Sequence, residues 1–380
     1  MLHTRCWALG CLVAAVLACQ DEPTAPAGSG TTPPVASVIR VPLQFLQVST
    51  GSDRGCGVTT GYRAYCWTVK ESTSERRFVA YPVPGGLSFR QVSISKTDDH
   101  VCGVTIDNQA YCWGNNEYGQ LGDGTQTSRS APVPVAGGRR FRSITAGGRF
   151  TCARNLNNGV FCWGDNTYNE IGDEGSGYPP TPVRVHLPKL FSVVNAGLEH
   201  VCGVTTDGQA YCWGRDTENQ LGDGSPAHRS DSVPTLVAGD RLYKQIDAGV
   251  DHSCALSRAD VAFCWGTGSA IGDGEGGSQA MPVPVAGNLK FMQLSTGWSH
   301  TCAVTFDRQA YCWGGFITGQ VNGSMPVSTV VPLAVMTDYR FTQISIGEHL
   351  ACGIKPNGIA LCWGLGWGQD GRAHQIHAIM

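Results

Sequence analysis

An all-β chain closed into a ring of small sheets is what this sequence predicts, on three observations. One pattern recurs seven times along the 380 residues. Every copy carries two cysteines ten positions apart. The 50 glycines and 20 prolines are too many turn formers for long helices. Seven units of about fifty residues, each with four short strands, fit a seven-bladed β-propeller of four-stranded blades. Radial closure leaves only short edges, which a linear stack of such sheets would not.

The chain opens on a targeting segment. Arg5 precedes the apolar run CWALGCLVAAVLA, which is too short to be a comfortable transmembrane helix. The run ends in VLAC, Val16 to Cys19, which resembles a bacterial lipobox. On that reading residues 1–18 are a signal peptide and Cys19 is lipidated. A plain signal peptide would give a freely secreted protein instead. Residues 19–34, with QDEPTAPAGSGTTPP, have no apolar period and read as a flexible linker. Residues 35–380 form the propeller.

The repeat is clearest in VCGVTIDNQAYCWG, Val101 to Gly114, and VCGVTTDGQAYCWG, Val201 to Gly214. First cysteines fall at Cys56, Cys102, Cys152, Cys202, Cys254, Cys302 and Cys352. Second cysteines fall at Cys66, Cys112, Cys162, Cys212, Cys264, Cys312 and Cys362, each followed by a tryptophan. Between them lies a turn such as Ile106-Asp107-Asn108 or Thr206-Asp207-Gly208, whose residues tolerate left-handed backbone. A hairpin folded there sets Cys102 opposite Cys112 and Gly103 opposite Tyr111. Small-aromatic pairing of this kind recurs in six copies, and Gly353 faces Leu361 in the last. Alternation puts Trp113 and Tyr111 on one face, which should pack on the neighbouring unit. This hairpin is expected to be the inner one of each blade.

Two further strands complete the unit. One is proline-flanked, at Ala131–Val135 and Met281–Val285, and suits a sheet edge. The other is FRSITAG or YKQIDAG, at Phe141–Gly147 and Tyr243–Gly249. At the ends, Val35–Phe45 and HQIHAIM are each candidates for the strand that closes the ring, and one of them is expected to do so.

These residues carry a resemblance. AGLEHVCGVTTDGQAYCWGRDTENQLGDG, with PVPV in sister copies, resembles the regulator-of-chromosome-condensation repeat, whose family forms seven-bladed propellers. The resemblance runs from Val35 to the C-terminus. Copy one departs, with Thr68 where glycine is usual and no GQLGDG segment; copy six reads GQVNGS and copy seven GLGWGQDG.

Of 17 cysteines, Cys6 and Cys11 lie in the leader and Cys19 at its end, which leaves fourteen in seven pairs. An even set in an exported chain reads as disulfides, and opposed hairpin positions suit the short Cβ separation a disulfide needs. Zinc would want closer pairs. No metal and no cofactor are expected.

Histidine stands two residues before the first cysteine at His100, His200, His252 and His300. One blade apart, these rings are too distant to share an ion, so a buried hydrogen-bonding role is expected. Asp53, Asp99, Glu199 and Asp251 lie in the same loops, with Glu348 nearby in the last copy and Arg149 breaking the pattern. They should gather on one rim, where an acidic surface could attract a basic partner or a cation. Trp298 is in this loop of copy six and outside the repeated tryptophans, which makes it the favoured partner contact. Asp123, Asp173, Asp223 and Asp273 sit in LGDG-type turns and lack the further oxygens that calcium needs.

The composition excludes other classes. A net charge of −3 offers no surface for phosphate, so no nucleic acid is expected. There is no nucleophile elbow, phosphate loop or HExxH motif. The expected function is a non-catalytic binding scaffold, a monomer anchored to the cell envelope only by lipid and presenting rim loops to a protein or glycan. Secreted β-lactamase-inhibitor propellers are similar in fold class. The resemblance implies an alternative, a guanine-nucleotide exchange factor for a small GTPase, which the export signal and cysteines disfavour. An envelope enzyme on a propeller scaffold is a third reading.

Overall fold

The computed structural model describes residues 40–71, 76–97, 99–225, 229–317, 327–364 and 373–379. The leader, Cys19, the linker, GQVNGS and most of GLGWGQDG lie outside the described residues.

The strands form seven sheets in consecutive order, one per repeat, antiparallel throughout except for one pairing at the outer edge of the first. In the third blade the order from axis to edge is Phe141–Ala146, Phe150–Asn155, Val160–Gly164 and Val183–Arg184. The fold is therefore the seven-bladed propeller with four-stranded blades. The cysteine hairpin, however, is the central pair of each sheet, not the inner one. The innermost strand is FRSITA and its equivalents, and the proline-flanked strand is outermost, as at Arg129–Pro134. The reason is hydrogen bonding. Pro132 and Pro134 cannot donate to a further strand, whereas the hairpin is paired on both sides.

All seven cysteine pairs are bonded within their own hairpin, with Cα separations of 4.0–4.1 Å. The left-handed turn residue is present at Asn108 (φ 69°) and Gly208 (φ 100°). The glycine of Gly103/Tyr111 has a second reason. A Cβ there would stand 2.7 Å from the Phe89 ring, which fills that space from the innermost strand.

Blades stack by complementary faces. The aromatic face of one blade, such as Phe141, Phe161 and Trp163, packs on the disulfide face of the preceding one at Cys102, Cys112, Val104 and Ala110. Four of these tryptophans also donate their indole N–H to a carbonyl of the preceding blade. Trp163 bonds Gln120, Trp213 bonds Glu170, Trp265 bonds Gln220 and Trp313 bonds Ala270, all at 2.9 Å. The acceptors lie in the GQLGDG-type turns, whose next glycine must be bare. A Cβ on Gly172 (φ 73°) would meet the Trp213 ring at 2.7 Å. The Asp-Gly segment is thus both a turn and a socket for the neighbouring blade. Replacing Trp213 by Ala should cost about 3–5 kcal/mol, because it opens a cavity and leaves a buried carbonyl unpaired. Denaturant unfolding of Trp213→Ala measures this; a loss under about 1 kcal/mol would refute the socket as the main inter-blade anchor.

Around the axis the innermost strands are joined by side chains. Gln47, Gln91, Gln245, Gln293 and Gln343 each donate to a carbonyl and accept from the N–H of one residue on the next blade. The carboxamide acts as a short piece of strand between diverging sheets. The bonds from Gln343 to Val48 close the seventh blade on the first.

Both end segments take part in closure at the outer edge, so the expectation that one of them does is corrected. His374–Gln375 is the outermost strand of the seventh blade. His377–Ile379 then pairs in parallel with Arg76–Pro82 of the first blade, and Arg40–Pro42 pairs with it in turn. One short tail shared by two blades ties the ends of the chain together.

Candidate functional site

The loops between innermost and second strands all open on one face, because every blade runs in the same sense. Neighbouring loops are bonded. Gly148 N–H donates to Leu198 O at 3.0 Å, Leu198 N–H to Gly249 O at 3.0 Å, and His349 N–H to Ser52 O at 3.1 Å. This face carries all six residues singled out as partner contacts.

The structure sorts them into groups. Glu199 and Asp251 share Arg215, at 2.6 and 3.7 Å. Asp53 and Glu348 share His349, at 3.3 and 3.5 Å. Asp99 accepts from the Thr97 hydroxyl at 3.0 Å. The rim is thus a set of small polar clusters in which each acid has a polar partner. Trp298 is 38% exposed, far more than any repeated tryptophan.

Trp298 reaches across the channel mouth and walls a pocket of about 210 Å³. The other walls are Thr97, Gly148, Arg149, Asp165, Glu170, Leu198 and Glu199, from the second, third and fourth blades. Glu170 is buried, at 1% exposure. One of its oxygens accepts from Tyr168 N–H at 2.9 Å. Burial, with Asp165 and Glu199 close by, pushes its carboxyl up to about 8. Arg149 stands at the lip, 5.0 Å above the Tyr118 ring and 3.0 Å from its hydroxyl.

Below the mouth the axial channel encloses about 290 Å³, lined by the innermost strands. The Lys96 ammonium lies there and donates to Thr296 O at 2.7 Å, from the second blade to the sixth. Burial lowers its pKa and Asp247 opposes that. Asp247 is buried and accepts from Thr296 N–H at 2.8 Å; burial raises its carboxyl and Lys96 opposes that. Lys96 crosses the axis as a strut within the channel.

The histidines stand one blade apart and bond the next blade. His100 meets Thr151 Oγ1 at 2.8 Å, His200 meets Ser253 Oγ at 2.8 Å, and His252 meets Thr301 Oγ1 at 2.9 Å. Burial lowers their imidazoles to about 3, and that of His300 to about 4. Among the described residues no group of three or more His, Cys, Asp or Glu is placed to hold a metal.

Sequence reasoning missed Lys96, Glu170 and Asp165. Two of them leave a trace. Ile94 to Cys102 is two residues longer than Ala146 to Cys152, and Lys96 is in that insertion. Glu170 stands where Gln120 and Gln220 stand in sister copies. Asp165 leaves none.

Fold and repeat define the class: a seven-bladed propeller of disulfide-pinned blades. Residues 107–154 and 207–256 match the Regulator of chromosome condensation (RCC1) repeat. Residues 90–120, 141–170, 191–220 and 293–320 match a second model with the same description. The chain carries RCC1 repeats over these segments. Human WBSCR16 superposes with a TM-score of 0.70 at 17% identity, over 84% of this chain and 94% of that one. The structure of Kap60 bound to yeast RCC1 (Prp20) gives 0.68 at 18%, over 94% and 90%. The CRINKLY WD40 ectodomain of the Arabidopsis thaliana receptor kinase ACR4 gives 0.56 at 21%, over 88% and 99%. At these identities the likeness is one of fold. No curated protein sequence matches the chain. Seven disulfides accord with an oxidising, extracytoplasmic setting. No described helix is long and apolar enough to cross a membrane.

Proposed function

We propose that the chain is a non-catalytic binding scaffold, exported, held at a bacterial cell envelope by lipid on Cys19, and presenting its loop face to a protein or glycan. One observation carries this reading. The blade framework repeats, yet the loops on one face do not, and one of them sets an exposed indole over a polar pocket. Rigid frame and variable loops are what a recognition surface requires. Partner binding is centred on Trp298 and Glu199, with Asp53, Asp99, Asp251 and Glu348 around them. The regulator reading draws on the similar structures: that of Prp20p is titled for its binding to Gsp1p and histones. Seven structural disulfides favour the extracytoplasmic alternative.

The test is a pull-down from envelope extract with residues 35–380 as bait, beside a Trp298→Ala, Glu199→Ala, Asp251→Ala variant. A partner retained by the native domain and lost with the variant is the expected result. Nothing retained by either, or nucleotide exchange on a GTPase from the same cell, would overturn the reading.

A further inference from the structure

Four observations meet at the Trp298 pocket. The first is shape. At about 210 Å³ the cavity is smaller than the roughly 300–1,000 Å³ that whole drug-sized ligands occupy, so it suits one side chain or one ring. The second is the exposed indole on one wall, a face that attracts cations. The third is Glu170. It is almost wholly buried and lines the cavity, and the hydrogen bonds to its carboxyl come from backbone N–H groups, those of Tyr168 and of Glu170 itself.

The fourth is the charge around it. Asp165 and Glu199 line the pocket as acids. Of the nearby cations, Arg149 is held on Tyr118, and Arg215 is held between Glu199 and Asp251 and over the Tyr168 ring. Neither arginine is paired with Glu170. A buried carboxyl held only by backbone N–H groups, under an aromatic wall and beside two more carboxylates, lacks a cation.

We propose that the pocket receives one basic side chain of a protein partner, its aliphatic stem along Trp298 and its charged head against Glu170, Asp165 and Glu199. The fit is physical. A lysine or arginine stem is apolar and lies well on an indole, and the head gains charge-assisted bonds away from bulk water. Arrival of the cation favours the ionised carboxyl of Glu170, so binding releases a proton there. Glu170 is protonated below about 8, and binding should therefore strengthen as pH rises through that value.

The proposal rests on the reading of the loop face as a binding surface, and its test is separate from the pull-down. The full-length protein is labelled with 5-fluorotryptophan, and the Trp298 resonance is assigned by its loss in Trp298→Phe. Nα-acetyl-argininamide and Nα-acetyl-lysinamide are titrated, with the neutral isostere Nα-acetyl-citrullinamide as control and putrescine as a free diamine. We expect a saturable shift of Trp298 with the two cationic amides and none with citrulline. Glu170→Gln should weaken binding at least fivefold and abolish its rise between about pH 6.5 and 9. This variant keeps the fold, because Gln120 and Gln220 occupy the same place in sister blades and the Trp213 acceptor is backbone. Citrulline binding as well as arginine, putrescine binding more tightly than either amide, or no saturable shift by about 50 mM would overturn the proposal. A partner captured in the pull-down with no shift here would leave the scaffold reading standing without this pocket.

Discussion

Reduction of the seven disulfides should unfold the ring. Each bond closes a loop of ten residues, and removing that constraint costs just under ~3 kcal/mol in the loop-entropy account. Seven such terms exceed the roughly 5–15 kcal/mol by which a folded domain is stable. The sulfurs are buried between blades, packed under the aromatic face of the next blade, so reductant alone in native buffer should act slowly. Protein reduced in denaturant and returned to buffer with reductant present should lack near-UV circular dichroism. Recovery of the native spectrum under those conditions would refute the bonds as the source of stability. A single pair removed, Cys202→Ala with Cys212→Ala, should lower stability without unfolding the chain.

Acid should weaken the same ring through its histidines. His100, His200, His252 and His300 are buried, and burial lowers their imidazoles to between about 3 and about 4. The unfolded chain binds a proton at each near pH 6.5, while the folded chain does not. The stability is thus fully present above about 6.5 and is lost as pH falls from there toward the folded values. At about pH 5 each histidine should cost roughly 2 kcal/mol relative to neutral pH. Glu170, Asp247 and Asp251 run the other way, since burial raises their carboxyls. A difference isolates the imidazole. In urea unfolding between about pH 6.5 and 4, His200→Gln should reduce the dependence of stability on pH by about one proton. An unchanged slope would mean that His200 is protonated in the folded state.

The repeat made most of the fold legible before any coordinates. A cysteine spacing of ten with a turn former between fixes a hairpin, because alternation leaves one register in which both sulfurs face the same side. The tryptophan after the second cysteine then has to face the other side, toward the preceding blade. What was misplaced was the hairpin's depth in the sheet. Local pattern says which strands pair and not which of them faces the axis, and Pro132 and Pro134 were the better guide to the outer edge. The candidate site was legible in part. Trp298 stood out because it broke the repeat. Lys96 and Glu170 also break it, by a two-residue insertion and by one carboxyl among carboxamides, but their partners are blades away.

By itself the sequence determined seven equivalent hairpins, their disulfides, the aromatic face and the oxidising setting, since each depends on residues within one repeat. Only the tertiary structure decided that Gln343 bonds Val48, that the C-terminal tail is shared by two blades, that Trp298 and Glu170 line one pocket, and that Lys96 spans the channel to Thr296. Those contacts join positions from tens to hundreds of residues apart. They exist because seven sheets close on one axis, and closure is a property of the whole ring that no single repeat contains.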